Sequence, residues 1–495
     1  MSRGRQSGVL LHLSSLPGPF GVGTLGREAR AFGDFLEAAG QRVWQLLPIC
    51  PTGFGDSPYQ SFSTFAGNPY FIDLERLEQE GLLEPQEYRG IDWGACPNRV
   101  DYGVLYEKRY PVLRLAARRL LDHPPQAFET FCRREQDWLE DYALFMAIKD
   151  SQGGLPWWEW PSVLGSREPE ALEAARSRYR EDCLCRKAVQ FLFWQQWRDL
   201  KRYVNLKGVS LLGDLPIYVA RDSVEVWAHP ELFQLDAHRR PREVAGCPPD
   251  GFSQGGQLWG NPLYDWEALA RQGYCWWIQR LRRLLGVYDL LRVDHFRGFA
   301  SYYAIPFGET TARRGRWRKG PGMDLFRRVN RELDHPPIIA EDLGFLTPEV
   351  RQLLADSGYP GMKVLEFAFD SRDPVGAEYL PDRYPAHCVA YTGTHDNDTV
   401  QGWLTTAPEE DVRRAWEVLH LVPGREHWGM LEALWGSRAD LTIVQAQDLL
   451  GLGSESRMNT PSTLGGNWQW RALPDAFSPA LAHRLHTYMQ QYDRL

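Results

Sequence analysis

Eight short apolar runs, several of them ending in polar or charged residues, constrain this chain more than any other feature. They are GVLLHLSS (8–15), RVWQLLPI (42–49), VSLLGDLPIYV (209–219), DLLRVDHF (289–296), PIIAEDLG (337–344), MKVLEFAF (362–369), HCVAYTGTHD (387–396) and DLTIVQAQD (440–448). Strands of a parallel sheet are buried on both faces, so they show near-continuous apolar runs and little alternation. Between the first two, REARAFGDFLEAAG sets Phe32, Phe35, Leu36 and Ala39 at helical spacing and stops at Gly40. Strand, amphipathic helix and strand imply a parallel pair joined by a right-handed crossover. Eight such strands, with helix formers between them, predict a (β/α)₈ barrel. An open doubly wound sheet is the competing arrangement. We read no glycine-rich phosphate loop after the first strand, setting GVGTLG (21–26) aside.

The spacing of the runs is uneven. Residues 50–208 are too many for one crossover, and they include helix-like stretches such as WLEDYALFMAIKD (138–150). We expect residues 1–495 to form one elaborated catalytic barrel with no separate C-terminal β-domain. Its expected insertions are a helical subdomain at 71–190, a segment at 220–280 with a lid near 245–261, and a helical segment at 397–437.

Composition removes several classes of function. An apolar content of 43% with 24% charged residues is enough for a core without staples. A net charge of −8 offers no basic surface for nucleic acid or an anionic membrane, so neither is an expected partner. No 18 consecutive residues are apolar, and the N-terminal segment lacks a signal-peptide pattern, so a cytoplasmic protein is expected. The eight cysteines are scattered, with only Cys183 and Cys185 close together, and are expected to be reduced and mostly buried. No H-x-H or H-E-x-x-H motif occurs, and no metal site is expected. The 20 tryptophans include loop clusters at 157–160, 257–262 and 466–470. These offer flat faces for sugar rings, core filling being the alternative for any one of them.

In such a barrel the chemistry lies at the C-terminal ends of the strands. Asp214, Arg292, Asp294, Glu341, Asp342, His395 and Asp396 all fall there. Arg292 and Asp294 are two apart, so an extended chain points both to one face, and the guanidinium is expected to lower the pKa of Asp294 and suit it to attack. Glu341, gathered near other carboxylates, is expected to have a raised pKa and act as a general acid. Two carboxylates with divided roles are what glycosidic cleavage requires. Each strand-end carboxylate has a structural alternative as a helix cap or ion-pair member. Asp342 fits that better, either as a neighbour or as a cap before LTPEV, and Asp398 fits as the cap of a helix near Thr399. His395 has the alternative of a core histidine, and His295 is expected to be structural.

The motifs SGVLLHLSSLPGPFG, SPYQ (57–60), FAGNPYFIDL, GDLPIYVARDS, GQLWGNPLYDW, LRVDHFRG, IIAEDLG, YTGTHDNDT and GNWQWR together resemble the 4-α-glucanotransferases called amylomaltases or disproportionating enzymes, glycoside hydrolase family 77 of the α-amylase clan. The resemblance spans nearly the whole chain. It implies a barrel of the expected kind, with Asp294 as nucleophile, Glu341 as acid/base and Asp396 as transition-state stabiliser. The choice of Glu341 over Asp342 comes from the resemblance alone. It further implies that Tyr59, Asp214, Trp259, Arg292 and His395 surround the sugar. The implied partners are α-1,4-glucans (maltooligosaccharides, amylose) and glucose, and like-for-like bond exchange needs no cofactor. A lid containing Gly251, Phe252, Gly255 and Gly256 is expected. Where the family commonly reads PPDYFS, this chain reads PPDGFS, which places Gly251 where a large ring is usual. The competing functions are a retaining α-glucan hydrolase and a non-catalytic glucan-binding protein.

Overall fold

The computed structural model describes residues 4–249, 254–344, 346–373 and 375–495. Its chain order opens with β1 (Gln6–Leu10), β2 (Val43–Gln45) and β3 (Ser210–Leu215). Two strands that lie outside the barrel follow, β4 (Glu243–Cys247) and β5 (Gln257–Pro262), then β6 (Leu290–Val293), β7 (Ser301–Pro306), β8 (Arg316–Lys319) and β9 (Ile338–Ala340). The last three are β10 (Gly361–Val364), β11 (Cys388–Tyr391) and β12 (Leu441–Gln445).

Eight of these pair in parallel in the order β10-β11-β12-β1-β2-β3-β6-β9, one from each of the eight apolar runs. The seam between β9 and β10 is bridged by the Ala340 amide donating to the Pro360 carbonyl (2.9 Å) and by the Met362 amide donating to Asp342 Oδ1 (2.6 Å). The result is a nearly closed TIM barrel. Asp342 is therefore a structural neighbour, as one of its two readings held. It is not the cap before LTPEV, where Thr347 occupies the N-cap position.

The strands are shorter than the apolar runs. β10 stops at Val364 and the chain turns into a 3-10 segment (Leu365–Phe369), while β11 stops at Tyr391, so that His395 and Asp396 lie on the following loop. Past β11 the Thr394 amide donates to the Asn397 side chain in place of a neighbouring strand.

Between β2 and β3 the described chain is helical, including Tyr102–Asp122, Gln136–Ser151 and Arg180–Leu206. Tyr142 through Lys149 is buried without interruption, since other helices and the loop around Trp157 cover that helix on several sides. The sheet β5-β4-β7-β8 is antiparallel and straddles β6 in sequence. Its outer strand, RWRK, is largely exposed and carries no apolar run, whereas β7, SYYAIP, is a buried apolar run that the sequence reading did not single out.

GVGTLG does carry the G-x-G-x-x-G spacing, contrary to our reading of it. Gly26 leads into the helix Arg27–Ala38, but the carboxylate of Asp73 already fills that place: a Cβ on Gly26 would lie 2.0 Å from Asp73 Oδ2, which also accepts the Thr24 hydroxyl at 2.7 Å. A phosphate has no room there. Of the eight cysteines only Cys185 and Cys388 are buried, fewer than expected. No helix among the described residues is long and apolar enough to cross a membrane.

Candidate active site

The register of the barrel explains how the charged groups meet. Asp214 of β3 is the partner of Arg292 on β6, and Val293 of β6 is the partner of Ala340 on β9. One step beyond those strands, Asp294 and Glu341 therefore emerge side by side. The ladder continues through them: the Asp294 amide donates to the Leu215 carbonyl, the Glu341 amide to the Val293 carbonyl and the Phe296 amide to the Glu341 carbonyl, at 2.9–3.0 Å. His295, forced to φ 50° at the turn, donates its amide to Glu341 Oε2 at 2.7 Å, and the Leu343 amide donates to Oε1 at 2.8 Å.

Arg292 is the centre of this group. Its Nη1 donates to both oxygens of Asp214 (2.8 and 2.6 Å) and lies 3.1 Å from Asp294 Oδ1, while Nη2 lies 4.0 Å from Glu341 Oε2. The Tyr59 hydroxyl donates to Asp214 Oδ2 at 2.7 Å, and its ring stacks on His395 with centroids 5.1 Å apart. His395 Nε2 is 3.3 Å from Asp396 Oδ1. Trp259 packs edge-on against His295, with centroids 4.9 Å apart, and Gln60 Nε2 donates to Asn261 Oδ1 at 3.2 Å, which ties the Tyr59 loop to β5. Tyr59, Asp214, Arg292, Asp294, Glu341, His395 and Asp396 thus form one linked cluster, and Trp259 sits beside it.

This geometry can be set against known proteins. A family model described as 4-alpha-glucanotransferase matches residues 11–475. The chain belongs to the 4-alpha-glucanotransferase family. It is 49% identical to the 4-alpha-glucanotransferase of Thermus thermophilus over 99% of both chains. It is 44% identical to that of Clostridium butyricum over 98% of this chain and 100% of the relative. The amylomaltase of Streptococcus agalactiae in complex with acarbose superposes with a TM-score of 0.96 at 42% identity, covering 99% of each chain. The amylomaltase of Corynebacterium glutamicum, 21% identical with a TM-score of 0.77, covers 98% of this chain and 75% of its own and shares the fold. The chain is thus a transferase acting on α-glucans, and it shares the family's barrel.

Electrostatics in this 4-alpha-glucanotransferase differ from expectation at one carboxylate. Arg292 was expected to hold the pKa of Asp294 down, yet burial pushes Asp294 up to about 7, against the pull of Arg292 and with help from Asp214 and Asp396. One guanidinium that already bonds both oxygens of Asp214 cannot also offset Asp294 and Glu341. Glu341 rises to about 8, chiefly by burial, opposed by Arg292 and reinforced by Asp294. Its side chain is 11% exposed against 27% for Asp294 and is farther from the guanidinium, so Glu341 holds the proton more strongly. Tyr59 is raised well above its ordinary value by burial and by Asp214, and so stays a donor. His395 is lowered by burial.

Other residues joined the 4-alpha-glucanotransferase site without being singled out from sequence. Asn459 donates Nδ2 to Asp396 Oδ1 at 2.6 Å, and its amide donates to the His395 carbonyl at 3.1 Å. Arg457 Nη2 donates to the Asp396 carbonyl at 2.5 Å. Both lie on the loop after β12, well past the strand end, where the barrel rule gives no signal. Trp468, buried, lies 5.7 Å from the Tyr59 ring and 5.9 Å from His395, so one tryptophan of the 466–470 cluster reaches the site. The cluster at 157–160 follows the core alternative for Trp157 and Trp160, which are buried and donate to the carbonyls of Arg221 and Leu155. Asp398 is not the expected helix cap. Thr399 is, its Oγ1 accepting the Gly402 amide at 3.0 Å, and Asp398 Oδ2 accepts the Ser454 hydroxyl instead.

Gly251 and Phe252 of the expected lid lie outside the described residues. Gly256, at φ 68°, turns the chain into β5, and a Cβ there would lie 2.5 Å from the Cys247 carbonyl oxygen. The neighbouring Gly255 accepts the Ala312 amide at 2.9 Å.

Proposed function

We propose that transfer proceeds by retaining double displacement, with Asp294 as nucleophile, Glu341 as acid/base and Asp396 as stabiliser of the sugar. The observation that carries this reading is the single guanidinium of Arg292, in reach of Asp214, Asp294 and Glu341, which commits those carboxylates to one centre. Glu341 gives its proton to the oxygen of an α-1,4 bond while Asp294 attacks C1, and the leaving glucan departs with that proton. The 4-hydroxyl of an acceptor then attacks C1, Glu341 takes its proton, and Asp294 is released as the new α-1,4 bond forms. Every bond broken is remade, so neither a cofactor nor a nucleotide donor is consumed. Asp396 bonds the 2- and 3-hydroxyls of the distorted ring, with Tyr59, Asp214, His395 and Trp259 around it.

Maltooligosaccharides and amylose are the donors in this reading, and glucose or another α-1,4-glucan is the acceptor. Acarbose, which the Streptococcus agalactiae amylomaltase holds, is expected to compete with them. We take 1–495 as one elaborated barrel domain with inserted segments at 71–190, 220–280 and 397–437. Within the second, β4 and β5 form the stems of a lid at 245–261 that excludes water after the first step.

Maltotriose alone tests the proposal. Glucose and longer maltooligosaccharides should accumulate with little gain in reducing ends, whereas a steady rise in reducing ends marks a hydrolase. Asp294→Asn should abolish turnover and retain sugar binding. Unchanged products from that variant would remove Asp294 from the mechanism.

A further inference from the structure

Asp396 is 47% exposed and sits on a loop, a setting that by itself gives a reacting group poor precision. The loop runs from the end of β11 at Tyr391 to the helix Val400–Thr406 and carries both His395 and Asp396. Its two ends are held by one buried carboxylate. Asp448, in the short helix Ala446–Leu449 that follows β12, is 1% exposed. Its Oδ2 accepts the Thr392 hydroxyl at 2.7 Å, at the start of the loop, and its Oδ1 accepts the Val400 amide at 2.7 Å, at the end.

A helix cap does not account for this contact. Thr399 already caps the helix through Gly402, so the bond to Val400 ties the helix start back to the strand end. Within the loop little slack remains. Asn397 Oδ1 accepts both the amide and the hydroxyl of Thr394 at 2.9 Å, and Gln445 Nε2 donates to the Asp398 carbonyl at 3.2 Å. A Cβ on Gly393 would lie 2.9 Å from Asn397 Cβ and 3.2 Å from both Gln445 Nε2 and Glu366 Oε1, so the loop lies against residues that follow β10 and end β12. Among the described residues the Asp448 carboxylate bonds Thr392 and Val400 and neither His395 nor Asp396, so its effect on them passes through the loop.

We propose that Asp448 is a positioning residue, which clasps both ends of the loop 392–400 and thereby fixes the Asp396 carboxylate against the reacting sugar. The inference rests on the reading that Asp396 acts on the sugar. A displacement of about 1 Å in such a group costs on the order of 100-fold in rate.

A double-mutant cycle on the full chain tests it, with maltotriose for steady-state kinetics and a maltosyl fluoride donor to keep slow variants readable. Asp448→Ala should lower kcat by about 30-fold with KM within about threefold, the pattern of an interaction felt mainly in the transition state. Asp448→Asn, which keeps an acceptor for the Val400 amide and can donate to Thr392 Oγ1, should recover to within about threefold of the parent. In an Asp396→Asn background, Asp448→Ala should cost less than about threefold, because two residues acting through one contact are not additive. An equal cost in both backgrounds, or an Asp448→Ala enzyme that unfolds earlier but keeps its kcat, overturns the clasp. Should Asp396→Asn itself leave kcat unchanged, the assignment of Asp396 fails instead, and the two failures are told apart. If Asp448→Ala does not fold, Thr392→Val removes only one hydroxyl from the clasp and is read in the same cycle. A kcat for that variant equal to the parent's also overturns the proposal.

Discussion

Asp214 and Arg292 face each other across β3 and β6, and the guanidinium donates to both carboxylate oxygens of a side chain that is fully buried. A buried ion pair costs desolvation and is weak evidence for stability, but breaking one is expensive because it strands the remaining charge. Here the pair also fixes the guanidinium that touches Asp294.

Asp214→Ala is expected to lower unfolding free energy by roughly 3–5 kcal/mol, since Arg292 loses its bidentate partner and the Tyr59 hydroxyl its acceptor. Denaturant titration at neutral pH measures this. A loss no larger than that of a surface substitution contradicts the structural weight given to the pair.

The rate should depend on pH as a bell. Asp294 must be charged to attack, so kcat/KM falls below about 7; Glu341 must hold its proton, so kcat/KM falls above about 8. Both limbs belong to the coupled pair more than to either residue. Glu341→Gln, assayed with a glycosyl fluoride whose leaving group needs no proton, should lose the alkaline limb and keep the acid one. Persistence of the alkaline limb in that variant assigns it to another group.

Stability should respond to the same groups with a defined sign. Burial raises Asp294 from its ordinary 3.8 to about 7, so the folded state binds the proton more tightly than the unfolded chain. Its contribution is fully present below pH about 3.8 and is lost as pH rises through about 7. Asp294→Asn should therefore stabilise the fold by a few kcal/mol at pH 9 and by little at pH 4, as read from unfolding midpoints at the two pH values. A gain that does not shrink on acidification contradicts the burial argument.

Asn459→Ala should free one oxygen of Asp396 and lower kcat by about tenfold, near 1.4 kcal/mol of transition-state stabilisation, with a smaller change in KM. Initial rates on maltotriose measure both. A change confined to KM points to a role in holding the substrate instead.

Much of the site was legible because parallel barrel strands advertise themselves. Leu290 to Val293 is apolar apart from Arg292, and the charges that follow mark where the chain leaves the core. The strand RWRK gave no such mark, since a largely exposed strand carries no continuous apolar run, and the buried run SYYAIP beside it ends without a cluster of charges. Asn459 and Arg457 were also silent. They lie 63 and 61 positions along the chain from Asp396, and no spacing rule connects them.

The chain order of the strands, the burial of their runs and the set of carboxylates that falls at their ends were determined by the sequence itself, because apolar patterning and residue chemistry are local properties; the choice of Glu341 over Asp342 was not among them. Only the folded barrel decided that Arg292 would spend its charge mainly on Asp214, and so leave Asp294 with a raised pKa and no private cation. That outcome depends on the register between β3, β6 and β9 and on depth from water. Both arise from how distant segments pack, and neither is written in any one of them.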